Sequence, residues 1–274
     1  VKRNLTLCAD DFGQSAAIDR GILRLAASGR LNAVSCLVGG ASWASGAREL
    51  LALPTVARGQ VRLGLHFNLT EGRPVSSALF RHWPHLPGLH RLIVQSHLRA
   101  LPLAALREEW RAQFGAFEQV LGRRPDHVDG HQHVHHLPQL RAQLLEQMAA
   151  RPTLRARHTG RILGPGHPFK RWVIAATGGR ALGRRLETLG RQQNTMLLGV
   201  YDFGRTPYQR LMQQWLQALP EQGGLIFCHP GAPPRAQDGG AHSDPIGPAR
   251  ARELAYLESP AFQDDLLHHE AQLA

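Results

Sequence analysis

A short apolar run, a polar loop and a helical pattern follow one another about seven times along this chain of 274 residues. That rhythm constrains the fold more than any single residue, because each helical stripe needs a sheet face to cover. Residues 5–9, 33–38, 61–69 and 127–129, a weak stretch around Leu154, and residues 196–201 and 225–228 read as strands. Residues 16–28, 42–51, 103–121, 137–149, 171–189, 207–219 and 248–257 carry helical spacing. Gly29 and Gly122 are natural helix stops, and Gly178-Gly179 interrupts the fifth helix. Strands alternating with helices predict an α/β fold with a mainly parallel sheet or barrel. No linker or repeat breaks the rhythm, so one domain over residues 1–274 is expected, with inserted loops near 71–102 and 231–248. Such insertions often serve as lids or substrate walls. His82, His85, His90 and His97 in the first are irregularly spaced and read as surface groups.

A hydrophobic content of 43% suffices for a core of this kind. No apolar run reaches the length of a transmembrane segment, and residues 1–10 lack the pattern of a signal peptide, so a cytoplasmic location is expected. Cys8, Cys36 and Cys228 lie in apolar runs without a CxxC pair and read as buried small hydrophobes. The net charge of +11 comes from 30 arginines against two lysines, Lys2 and Lys170, spread through the helical segments. A scattered excess of this kind attracts anionic surfaces or acidic sugars non-specifically, and no specific nucleic-acid partner is expected. With no GxxxxGK loop and no GxSxG elbow, neither an organic cofactor nor a serine nucleophile is expected.

Ionisable residues gather where the strands end, and in a parallel α/β protein those carboxyl ends form one rim. Asp10-Asp11 follows the first strand; adjacent carboxylates repel unless a cation or proton is shared, although either could instead cap the next helix. His66 closes the third strand, where a hydrogen-bonded core histidine is the plain alternative. Asp129-Gly130-His131-Gln132-His133-Val134-His135-His136 follows the fourth. His131, His133 and His135 share a face if this stretch is extended, His131 and His135 if it is helical, and an exposed histidine-rich turn is the remaining option. His229 follows the last strand. Acid and imidazole at four strand ends suit zinc or another divalent transition metal, with magnesium less favoured. Asp202 could reach the rim or cap a turn, Arg155 and Arg157 could bind a polar substrate, and Trp83 and Phe169 could stack on sugar rings or pack in the core.

Residues 7–13 (LCADDFG), 64–70 (GLHFNLT), 128–135 (VDGHQHVH) and 228–230 (CHP) resemble, in order and spacing, the YdjC-like family of carbohydrate deacetylases, which includes chitooligosaccharide deacetylases. The resemblance implies a deformed (β/α) barrel of about seven parallel strands related to the polysaccharide deacetylases. It further implies one divalent metal ion held by Asp11, His66 and His131, with zinc favoured and magnesium an option. By the same resemblance Asp10 is the catalytic base and His229 a general acid or transition-state stabiliser. Asp129, His133 and Arg155 then orient ligands or meet substrate. The implied reaction is hydrolysis of the acetamide of an N-acetylated saccharide or glycolipid, and self-association as a homodimer is suggested. Two other functions fit the residues: a different metal hydrolase such as a phosphoesterase, and a basic protein that binds nucleic acid or anionic glycan without turnover.

Overall fold

The computed structural model describes residues 2–238 and 244–274. Its strands are β1 (Arg3–Phe12), β2 (Ala33–Cys36), β3 (Arg62–Phe67), β4 (His127–Gly130), β5 (Arg155–Ala156), β6 (Leu197–Leu198), β7 (Gly224–Cys228) and β8 (Ala271–Leu273). The first seven form a parallel sheet in the order β5-β4-β3-β2-β1-β7-β6, and β8 pairs with the start of β1. Between β5 and β6 the ladder is replaced by single bridges, Ala156 to Gln193 and Ile162 to Leu197. The sheet therefore curls into a deformed (β/α) barrel, the alternating rhythm having predicted a mainly parallel sheet or barrel and the family resemblance its deformed form. Strand β8 and the helix Pro260–His268 before it were not expected, because three residues are too few to show an alternation.

Alternation along each strand sorts apolar from polar chemistry, since successive side chains face opposite sides of a sheet. Leu5, Leu7 and Ala9, Leu63, Leu65 and Phe67, and Val128 and Ile226 join the large core shared with the helices. The intervening positions face the inside of the curl, where Cys8, Ala33, Leu197, Leu225 and Phe227 form a second, small apolar cluster. Above that cluster the inner positions become polar. All three cysteines are buried free thiols, as their apolar settings suggest.

The helices follow their patterns. Leu103–Leu121 buries Leu106, Trp110, Phe114 and Phe117, with Trp110 stacked on Phe67 at 3.4 Å between ring centroids. Gly122 ends it in a left-handed conformation, φ 63°, with its N–H donated to Glu118 O. The expected fifth helix is three pieces: Pro168–Ile174, a π turn over Ala175–Gly179, and Arg180–Thr188. Close approach is the cause. A Cβ on Gly178 would stand 2.0 Å from His136 O, and one on Gly179 2.4 Å from Thr159 O. The stretch 71–102 contains two helices, Ser77–His82 and Leu89–His97, with Trp83 buried and its four histidines exposed. Within the second inserted stretch, residues 239–243 lie outside the described residues.

Candidate metal centre

Strand register brings the polar ends to one level. His66 lies opposite Asp129 in the β3–β4 ladder, and Ala9 opposite Cys228 in the β1–β7 ladder, so Asp10 and His229 come next. In a regular strand Asp10 and Asp11 would face opposite sides. A bulge between Ala9 and Phe12, with Asp11 at φ 69°, turns both carboxylates into the same buried network. Neither caps the following helix; that role falls to Ser15, whose hydroxyl accepts the N–H of Ile18.

Arg157 organises the first carboxylate. Its two terminal nitrogens donate to the two oxygens of Asp10, each at 2.7 Å, and Nη2 also lies 2.5 Å from Asp129 Oδ2. Asp129 further accepts the Ser35 hydroxyl at 2.6 Å and, through Oδ1, His66 Nδ1–H at 2.7 Å. Arg155, the other candidate at this strand, sits two residues earlier at the level of His127. It is exposed and donates to Gln192. The arginine of the site is therefore Arg157, because a rise of about 6.6 Å over two extended residues carries it from the level of Arg155 to that of Asp10 and Asp129.

The histidine cluster adopts neither of the regular forms considered for it. Gln132 and His133 have φ of 53° and 62°, so the chain turns sharply and sends the imidazoles apart. His131 reaches Asp11; His135 donates to Arg157 O at 3.0 Å; His136 bonds Thr159 and Thr177. His133 lies edge-on to Phe227, 5.3 Å between centroids, and its Nδ1 finds no hydrogen-bond partner among the described residues.

Asp11, His66 and His131 converge. Asp11 Oδ1 lies 2.9 Å from His131 Nδ1 and 3.3 Å from His66 Nε2, and one donor atom from each residue falls within 4.8 Å of the others. Each imidazole also has a carboxylate at its outer nitrogen: Asp129 at His66 Nδ1, and Glu71 Oε1 at 3.1 Å from His131 Nε2. A carboxylate behind each imidazole is the arrangement that orients ligand histidines and raises their basicity. One buried carboxylate and two such imidazoles fit a divalent cation. Among the described residues two further groupings of donors occur, Asp10 with His66 and Asp129, and Cys8 with His127 and Asp129. Both include carboxylates already matched by the Arg157 cation, and burial raises the Cys8 thiol far above its ordinary range.

Opposed charges set the protonation of the cluster. Burial alone would lower His66 and His131, but facing carboxylates outweigh it: Asp129 and Asp10 push His66 up to about 10, and Asp11 pushes His131 up to about 9. Burial would likewise raise Asp11, yet Arg250 and His131 hold its carboxyl well below the usual range. Protons on the two imidazoles therefore compete with a cation for the same nitrogens.

Two residues from the helix Gly247–Glu258, neither singled out from the sequence, complete the surroundings. Arg250 donates to Asp11 Oδ2 at 2.8 Å and to Asp244 at 2.6 Å, leaving Oδ1 to face the imidazoles. Glu253 accepts the backbone N–H of His229 at 2.5 Å and the Tyr201 hydroxyl; burial raises it to about 7. His229 packs edge-on against Phe203 and Phe227, its Nδ1 has no hydrogen-bond partner among the described residues, and burial lowers it to about 4. Asp202 is exposed and caps a turn through Gly204 N–H.

The model of a family described as YdjC-like protein matches residues 4–268, nearly the whole chain. The chain belongs to the YdjC-like family. Among curated relatives, a mouse protein named carbohydrate deacetylase is 42% identical over 142 residues, covering 49% of this chain and 43% of that protein. A Salmonella schwarzengrund protein named chitooligosaccharide deacetylase is 33% identical over 147 residues, covering 51% and 53%. The alignments thus span about half the length of the curated relatives. A solved Enterococcus faecalis V583 chain, named for cellobiose-phosphate cleavage, superposes with a TM-score of 0.72 at 19% identity, over 100% of this chain and 97% of its own. That likeness establishes a shared fold for the YdjC-like chain. Among the described residues no helix is long and apolar enough to cross a membrane.

Proposed function

We propose that this YdjC-like chain is a divalent-metal-dependent hydrolase that removes acetyl groups from N-acetylated sugars. The observation that carries the reading is the convergence of Asp11, His66 and His131, with a carboxylate behind each imidazole, at the strand ends of a chain whose relatives are named as carbohydrate deacetylases. Two imidazole donors favour zinc over magnesium. An ion bound there supplies Lewis acidity, polarising the acetyl carbonyl and making a water a better nucleophile.

The protein side chains do the rest. Asp10 takes the proton of the attacking water; Arg157 fixes its carboxylate plane while each oxygen keeps a second lone pair to accept that proton. Asp10 then returns the proton to the departing amine. His229, neutral at ordinary pH, donates its N–H to the carbonyl oxygen as charge develops there, which favours the stabiliser role over the general acid. The products are acetate and an amino sugar. A phosphoesterase is less well supported, because Arg157 and Arg250 are already paired with carboxylates and offer little to a phosphate.

The test is acetate release from a panel of free, oligomeric, nucleotide-linked and lipid-linked N-acetyl sugars, with added divalent ions. Acetate from at least one member, lost on chelation and restored by metal, is expected. No acetate from any member with metal-loaded, folded protein would overturn the reading.

A further inference from the structure

Of the two aromatic residues that could meet a sugar ring, Trp83 is buried, whereas Phe169 is 75% exposed. Phe169 is paired with Trp172, itself 55% exposed, one helical turn along Pro168–Ile174; the rings stack 21° from parallel with centroids 6.1 Å apart. Two large aromatics presented together to solvent gain nothing from burial in the fold, so their exposure calls for an external partner.

The location narrows that partner. Lys170 on the same helix donates to Tyr201 O at 2.6 Å and lies over the Phe203 ring, which in turn packs against His229. Beyond the helix, Thr177 bonds His136 in the turn that carries His131. Ile174 packs on the apolar cluster containing Phe227. The helix is therefore linked through Lys170 to the Tyr201–Phe203 segment beside His229, and through the π turn that follows it to the turn carrying His131. Its cations are engaged, Lys170 with Tyr201 O and Arg171 with the carbonyls of Pro165 and Gly166. No other exposed large apolar side chain belongs to this helix. Two aromatic side chains offer about 300–500 Å² at most, well short of the roughly 600 Å² per partner of even a small stable protein interface. That area matches a flat, neutral ring with an apolar face, which a pyranose presents through its axial C–H groups.

We propose that Phe169 and Trp172 form a sugar-binding platform for a neighbouring pyranose of an oligosaccharide substrate, whose acetamido sugar lies at Asp11, His66 and His131. The inference rests on the deacetylase reading above and extends it to substrate length. Four of the five tryptophans are buried and Trp172 is exposed, so its fluorescence reports binding without turnover.

The experiment titrates the full chain with N-acetylglucosamine and with its linear trimer, following tryptophan emission, and measures acetate release from both. The trimer should shift the emission, and Trp172→Phe should lose that signal. The Phe169→Ala/Trp172→Ala double variant should raise KM for the trimer by about three- to tenfold, more than for the monosaccharide, with native melting behaviour. An unchanged trimer-to-monosaccharide ratio, no emission response in the wild type, or a change from dimer to monomer on substitution would overturn the platform. Absence of acetate from every sugar, with the emission response intact, would instead overturn the deacetylase reading and leave the platform standing.

Discussion

Asp10 and Asp11 are neighbours with separate partners: Arg157 holds the first, and His66, His131 and Arg250 surround the second. Asp11→Asn should therefore abolish metal uptake and turnover together. Asp10→Asn should retain the metal, measured by elemental analysis of the purified protein, while kcat falls by about 10²- to 10⁴-fold. Loss of the ion from Asp10→Asn would refute this division of labour. Glu71→Gln should weaken metal affinity by about tenfold or more, since it removes the charge behind His131. Arg157→Met leaves Asp10 and Asp129 buried without their cation, and denaturant unfolding should register a loss of about 3–5 kcal/mol. The motifs made Asp10, Asp11, His66, His131 and His229 legible because each stands at a strand end. Arg157 stood out only beside Arg155 as a substrate contact, its pairing with Asp10 and Asp129 being illegible among 30 arginines, and Arg250 and Glu253 read as ordinary polar positions of a helix, since burial of a charge leaves no local signature.

At the scale of elements, alternation and helical spacing marked the strands and most helices well, because each pairs an apolar stripe with a defined period. The failures are where the backbone leaves regular geometry. The turn over residues 131–136 depends on left-handed Gln132 and His133, which neither extended nor helical spacing anticipates. The π turn at Ala175–Gly179 depends on a glycine pressed against His136 O. Gly178→Ala should cost about 1–3 kcal/mol through overpacking, read by urea unfolding. It should also displace His136, seen as a shifted imidazole resonance; an unchanged resonance would separate the two elements.

For the whole molecule, the protons on His66 and His131 couple metal binding to pH. His66 and His131 titrate near 10 and 9, so an ion entering at neutral pH displaces close to two protons. Metal affinity should fall by about a hundredfold per pH unit below neutrality, and calorimetry in buffers of differing protonation enthalpy should count the protons. The same shifts set the stability of the metal-free protein. Both folded values lie above the ordinary imidazole value of 6.5, so the ion pairs contribute fully below that pH and fade as pH rises through about 9 and 10. Melting temperatures of chelated protein should decline over that range, and less steeply in His131→Asn. None of this coupling was legible in the sequence, because it depends on which carboxylate faces which nitrogen.

The most direct test of the account is an anomalous-scattering map from crystals grown with zinc. One peak is expected, bounded by Asp11, His66 and His131 with Glu71 and Asp129 behind the imidazoles. A peak beside Cys8 and His127, or no peak among these residues in metal-loaded protein, would contradict it.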